Sequence, residues 1–131
     1  MIISAAVRYG LLAVGYIAKN SKDGLVKASS ISKEYGIPKM YLSRIMLNLV
    51  KANVMNGKKG PRGGYVLTRP AKEISMLEII EAVGGPLELM MEISRDTKHS
   101  PFAIKMERIC KNALAIEKDT FHKAKLSEMI K

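Results

Sequence analysis

Within GKKGPRGGYVLTRP, residues 57–70, the cations Lys58, Lys59 and Arg62 fall inside five positions, among four glycines and two prolines. Cations so placed, on a stretch that cannot be helical, suit phosphate neutralisation or insertion into a narrow minor groove. The glycines let such a loop approach a polyanion backbone closely. The other reactive group is the lone thiol of Cys110. It reads either as a small buried hydrophobe or as a candidate redox thiol whose oxidation would disturb its helix. Catalytic patterns are missing: there is no paired-carboxylate cleft, no Ser/Cys–His constellation, no HExxH and no GxxxxGK[ST]. The glycine-rich stretch precedes a strand-like YVLT rather than a helix, so it lacks the helix N-terminus of a phosphate-binding active site. An enzyme is not expected.

Charge is divided unevenly along the 131 residues. Residues 1–72 hold 13 Lys/Arg against 2 acids, a net of +11, whereas residues 73–131 hold 9 against 10, a net of −1. An excess confined to one half points to a polyanion-binding surface there. Apolar residues make up 47% and charged residues 26%, the composition of a folded domain. No apolar run reaches the ~20 residues that span a bilayer. The opening MIISAAVRYGLLAVGYIA lacks a basic n-region and a cleavage site, and a single cysteine fits a reducing interior, so a cytoplasmic location and no membrane partner are expected.

The elements that must carry these cations follow from spacing. Ile3, Ala6, Val7, Gly10, Leu11, Val14 and Ile17 predict a helix over 2–20, with Gly10 and Gly15 suggesting close packing. Leu25–Lys27 reads as a short strand. SSISKEYG predicts a two-turn helix capped at Ser30 and stopped at Gly36. A second helix over 39–52 sets Leu42, Ile45, Met46, Leu49 and Val50 on one face and leaves Lys39, Ser43, Arg44 and Lys51 for the others. Two helices joined by a short Gly-containing turn form a helix-turn-helix, and strands near 53–56 and 64–68 make the loop a wing. A further helix starts at Ser75 and stops at Gly84-Gly85-Pro86. Ser100-Pro101 starts the last long helix. On it Phe102, Met106, Ile109, Ala113, Ile116 and Thr120 keep a 4-3-4-3-4 spacing, the seam of a dimerisation helix. The alternative is that this helix folds back on its own domain. The expected class is mainly α with a small β-wing: a winged helix-turn-helix domain at 1–86, a linker at 87–100, and a dimerisation helix with C-terminal segment at 101–131.

Arg8-Tyr9, Gly36-Ile37, Tyr41-Leu42, Gly60-Pro61 and Gly63-Gly64-Tyr65 together resemble the Rrf family of bacterial winged-helix regulators, typified by IscR, NsrR and CymR. The resemblance extends to the ending Leu126-Ser127-Glu128-Met129-Ile130. It implies a homodimeric, sequence-specific DNA-binding transcription factor on a near-palindromic operator; a repressor is expected, since a bound operator would occlude a promoter. Carried over by position, it implies base reading by Lys39, Met40, Tyr41, Ser43 and Arg44, with helix 39–52 in the major groove. It implies wing contacts over 57–65 by Lys58, Lys59, Pro61 and Arg62, with Gly63 and Gly64 in the same motif. Ser43, Arg44 and Lys59 replace the glutamate, glutamine and arginine common there, so no operator sequence carries over. Cluster-binding members hold an iron–sulfur centre with three cysteines between the fourth helix and the dimerisation helix. Here Leu87 to Met106 has none, and Glu92 and His99 are weak substitutes, so no cofactor and no metal site are expected. His122 reads as a polar helix residue. The competing expectations are a winged-helix interaction module docking an acidic partner, and an RNA-associated factor using the same basic patch.

Overall fold

Side-chain caps and buried stripes set the element boundaries in the computed structural model, which describes residues 3–89 and 100–131. Helix α1 (Ala5–Asn20) starts where the Ser4 hydroxyl accepts from the Val7 N–H at 3.2 Å. That is three residues after the start expected from apolar spacing. Of its two glycines only Gly10 packs closely: a Cβ there would lie 2.8 Å from Val83 Cγ2. Gly15 faces open space, so close packing is not its reason.

Helix α2 (Ala28–Tyr35) begins two residues ahead of the expected Ser30 cap. Ser30 already lies in its first turn, with its N–H donating to the Lys27 carbonyl at 3.1 Å. Ala28, packed on the core, has drawn the start forward. Gly36 ends α2 in the left-handed region at φ 66, which a residue with a Cβ adopts only at a cost. Ile37 is buried and anchors the turn, its carbonyl accepting from the Ser32 hydroxyl. Helix α3 (Lys39–Lys51) follows directly. Its exit runs through Asn53 at φ 60, and this turn delays strand β1 (Met55–Lys58) two residues beyond the expected start. Strand β2 (Gly64–Leu67) pairs antiparallel with β1, from Met55 opposite Leu67 to Lys58 opposite Gly64. The strand expected at Leu25–Lys27 is a single bridge, Val26 to Tyr65.

Helix α4 (Met76–Gly84) opens with a capping box: Ser75 accepts from the Glu78 N–H while the Glu78 carboxylate accepts from the Ser75 N–H. Helix α5 (Pro101–Lys123) opens at Ser100, and the short α6 (Leu126–Met129) follows. The chain end returns to the first elements: the Leu126 N–H donates to the Ile74 carbonyl at 2.9 Å. Leu126 is buried in one core with Val14 and Ile17 of α1, Ile31 of α2, Leu42 and Leu49 of α3, and Ile79 of α4. A smaller cluster of Val7, Ile80 and Phe121 holds the end of α5 against α1 and α4. Residues 90–99, including Glu92, His99 and most of the expected linker, lie outside the described residues. Among the described residues no helix is long and apolar enough to cross a membrane.

Candidate nucleic-acid interface

Burial of Leu42, Ile45, Met46 and Leu49 turns the opposite stripe of α3 into water. That stripe holds Lys39, Met40, Ser43, Arg44 and Leu47, all exposed, with Met40 at 80% and Leu47 at 53%. Ser43 donates its hydroxyl to the Lys39 carbonyl at 2.9 Å and keeps its oxygen as an acceptor. The Tyr41 ring meets Tyr9 of α1 edge-on, at 5.6 Å and 87°, and the Arg8 guanidinium lies 5.3 Å from the Tyr9 centroid. Such an aromatic pair contributes about 0.5–1.5 kcal/mol and here braces the start of α3. Tyr9 thus supports α3, a contact that no local pattern announces.

Lys58 closes β1, and Lys59, Pro61 and Arg62 form the exposed tip. The tip turns back through a bond from the Gly63 N–H to the Gly60 carbonyl at 2.9 Å. A Cβ on Gly63 would fall 2.1 Å from the Lys58 carbonyl oxygen, so only glycine allows this turn. Gly63 and Gly64 are themselves buried and shape the loop. Between wing and helix runs a groove of about 350 Å³, with Ser43, Leu47 and Val50 on one wall and Lys58, Lys59 and Tyr65 on the other. Of the expected base-reading and wing residues, Ser43, Lys58 and Lys59 line this groove, while Lys39, Met40, Tyr41, Arg44, Pro61 and Arg62 lie exposed outside its lining. Lys39, Arg44, Lys58, Lys59 and Arg62 make no ion pair with any described residue. Among the described residues nothing neutralises their charge, which suits them to a polyanion.

The base of the wing is clamped by side chains that sequence reading missed. Thr68 donates to the Asn53 carbonyl at 2.7 Å. Arg69 donates to the Glu78 carboxylate at 2.7 Å and to the Glu73 carbonyl at 3.1 Å. Burial opposes ionisation of Glu78, but the Arg69 hydrogen bond, the Ser75 N–H and the Arg69 charge outweigh it and hold the carboxyl below its ordinary value. The same hydrogen bond raises Arg69 further above its usual range. Only the Ser75–Glu78 spacing, a capping-box signature, could have pointed to this clamp.

Helix α5 carries two stripes with one spacing. Phe102, Met106, Ile109, Ala113, Ile116 and Thr120 are all exposed; Phe102 reaches 74%, Ile109 68% and Ile116 69%. The neighbouring stripe of Ala103, Glu107, Cys110, Leu114 and Phe121 is buried or half-buried. The helix thus folds back on its own chain with one face and leaves the expected seam bare. Buried Glu107 pairs with Lys111 at 2.8 Å. Cys110 is half-buried on the inner stripe, away from the seam. His122 is exposed. Among the described residues no three His, Cys, Asp or Glu side chains lie close enough to hold a metal ion. One cysteine in 131 residues does not fit a cysteine-ligated iron–sulfur cluster.

Comparison with known proteins agrees with this geometry. The Rrf2 family, described as iron-dependent transcriptional regulators, matches residues 3–131. An Aquifex aeolicus protein bearing the name of an HTH-type transcriptional regulator is 40% identical over 103 residues, covering 79% of this chain and 71% of that protein. IscR of Cereibacter sphaeroides is 36% identical over 92 residues, covering 69% of this chain. The chain spans 59% of that IscR, so it corresponds to part of its length. Among solved structures, oxidised CymR of Staphylococcus aureus superposes with a TM-score of 0.75 at 26% identity, covering 100% of this chain and 97% of that one. A regulator from Listeria innocua superposes with a TM-score of 0.79 at 26% identity, covering 99% of this chain and 86% of that one. With its winged helix-turn-helix and the match along its length, the chain belongs to the Rrf2 family of transcriptional regulators.

Proposed function

We propose that the chain acts as a homodimeric, sequence-specific DNA-binding repressor on a near-palindromic operator. Helix 39–52 enters the major groove, and wing 57–65 lies beside it along the backbone or in the minor groove. The observation that carries this reading is the groove shared by Ser43 and Leu47 of α3 and Lys58 and Lys59 of the wing, whose two lysines make no ion pair among the described residues. Arg44 is suited to bidentate contact with guanine, and Met40 and Leu47 offer apolar surface to thymine methyls. Lys58, Lys59 and Arg62 neutralise phosphates.

The dimer reading rests on the bare stripe of α5. Its spacing is symmetric about Lys111, so an antiparallel pairing sets Phe102 against Thr120, Met106 against Ile116 and Ile109 against Ala113 of a second copy. Each layer then joins an a-type to a d-type position, and the interface is isologous. No iron–sulfur cluster of the cysteine-ligated kind belongs to this reading, and any redox response falls to Cys110.

Selecting duplexes from a random library and titrating salt against the winner tests this function. The expected outcome is an inverted repeat bound by two copies, with affinity falling steeply as salt rises. A flat salt response with no selected motif would instead favour docking of an acidic protein.

A further inference from the structure

We propose that the groove between the exposed face of α1 and the C-terminal helix α6 is a binding site for a linear amphiphilic anion, an alkyl chain ending in a carboxylate. The groove encloses about 470 Å³. Its floor is the α1 stripe Arg8, Leu12, Gly15 and Lys19, and its far wall is formed by Met129 and Ile130. A Cβ at Gly15 would meet nothing within 4 Å, so the glycine leaves the middle of the floor open. Eleven helical residues separate the two cations, about 16 Å along the axis at 1.5 Å each. The channel is therefore elongated, aliphatic in its middle and cationic at both ends.

No acidic residue lines this groove. Neither Arg8 nor Lys19 makes an ion pair among the described residues. An alkyl chain fills the aliphatic middle while its carboxylate meets one of the cations, whereas an alkylamine places like charge against them. No residue of α5 contributes, so the site is separate from the dimer seam. Tyr35, the last residue of α2, lines the groove immediately before the Gly36 turn. An occupant therefore touches the first helix of the helix-turn-helix. As a regulatory input the site rests on the DNA-binding reading; as a binding site it does not.

The test is calorimetric titration of the DNA-free protein with decanoate, decanol and decylamine. Decanoate should saturate at one per chain and bind about tenfold or more tightly than the alcohol or the amine. Gly15→Leu, whose Cβ meets nothing within 4 Å, should abolish decanoate binding while leaving duplex binding unchanged and thermal stability no lower than the parent's, since leucine favours the helix over glycine. Arg8→Gln combined with Lys19→Gln should bring decanoate down to the affinity of decanol. Equal binding of the three probes, retention of decanoate by the Gly15→Leu protein, or no saturable binding would each overturn the site. Failure of the ligand-free protein to bind any selected duplex would defeat the DNA reading alone, since the ligand titration contains no DNA.

Discussion

Helix α3 leaves Lys39, Met40, Ser43 and Arg44 in water, while α5 leaves Phe102, Met106, Ile109 and Ile116 there. Both helices bury their other stripe in the same chain. The bare cations of α3 are well solvated, so that surface can persist uncovered until a polyanion arrives. The bare apolar stripe of α5 has no such ease: covering a large aliphatic or aromatic side chain is favourable by about 1.5–3 kcal/mol. In the proposed function one helix meets DNA and the other meets a second copy.

The sharpest way to break this comparison is to charge the apolar stripe. Ile109→Asp with Ile116→Asp should raise the dimer dissociation constant by about a thousandfold or more, because carboxylates would be carried into the seam. Sedimentation equilibrium reads the loss, and far-UV circular dichroism should stay unchanged, since both positions are exposed in the single chain. Next in size is Arg44→Ala, expected to cost about 1–3 kcal/mol on the selected duplex and to relax preference at one base position. Lys59→Ala should weaken all duplexes alike and reduce the salt slope by about 1. Competition binding against random DNA separates the two, and equal behaviour would remove the division between reading helix and wing.

Smaller effects address how the two surfaces are held. Glu78→Gln should lower stability by about 1 kcal/mol in urea titrations by weakening the α4 cap and the Arg69 clamp. The folded carboxyl titrates below its unfolded value, so its stabilisation is present above the ordinary carboxylate range and is lost as pH falls through the depressed value. The gap between parent and Glu78→Gln protein should therefore close in acid. Tyr9→Leu is the mildest: it removes the edge contact to Tyr41 at about 0.5–1.5 kcal/mol and should weaken duplex binding without changing base preference.

Much of this architecture is legible in the sequence because it is written locally. The turn at Gly36, the wing glycines, the Ser75 and Ser100 starts and the apolar stripe of α5 each need only neighbouring residues to be seen. Boundaries drifted where a non-local demand intervened, as when core packing of Ala28 advanced α2 and the left-handed Asn53 delayed β1. The inner stripe of α5 escaped notice because Glu107 and Cys110 interrupt its apolar character. The Tyr9–Tyr41 brace and the Arg69–Glu78 clamp join residues from different elements, and no periodicity encodes such pairs.

The most direct test of the central claim is the binding stoichiometry and footprint on a duplex recovered from a random library. Two copies should protect two inverted half-sites whose centres lie about one helical turn, roughly 34 Å, apart. A single copy protecting one unrepeated site, or protection without any common motif, would contradict it.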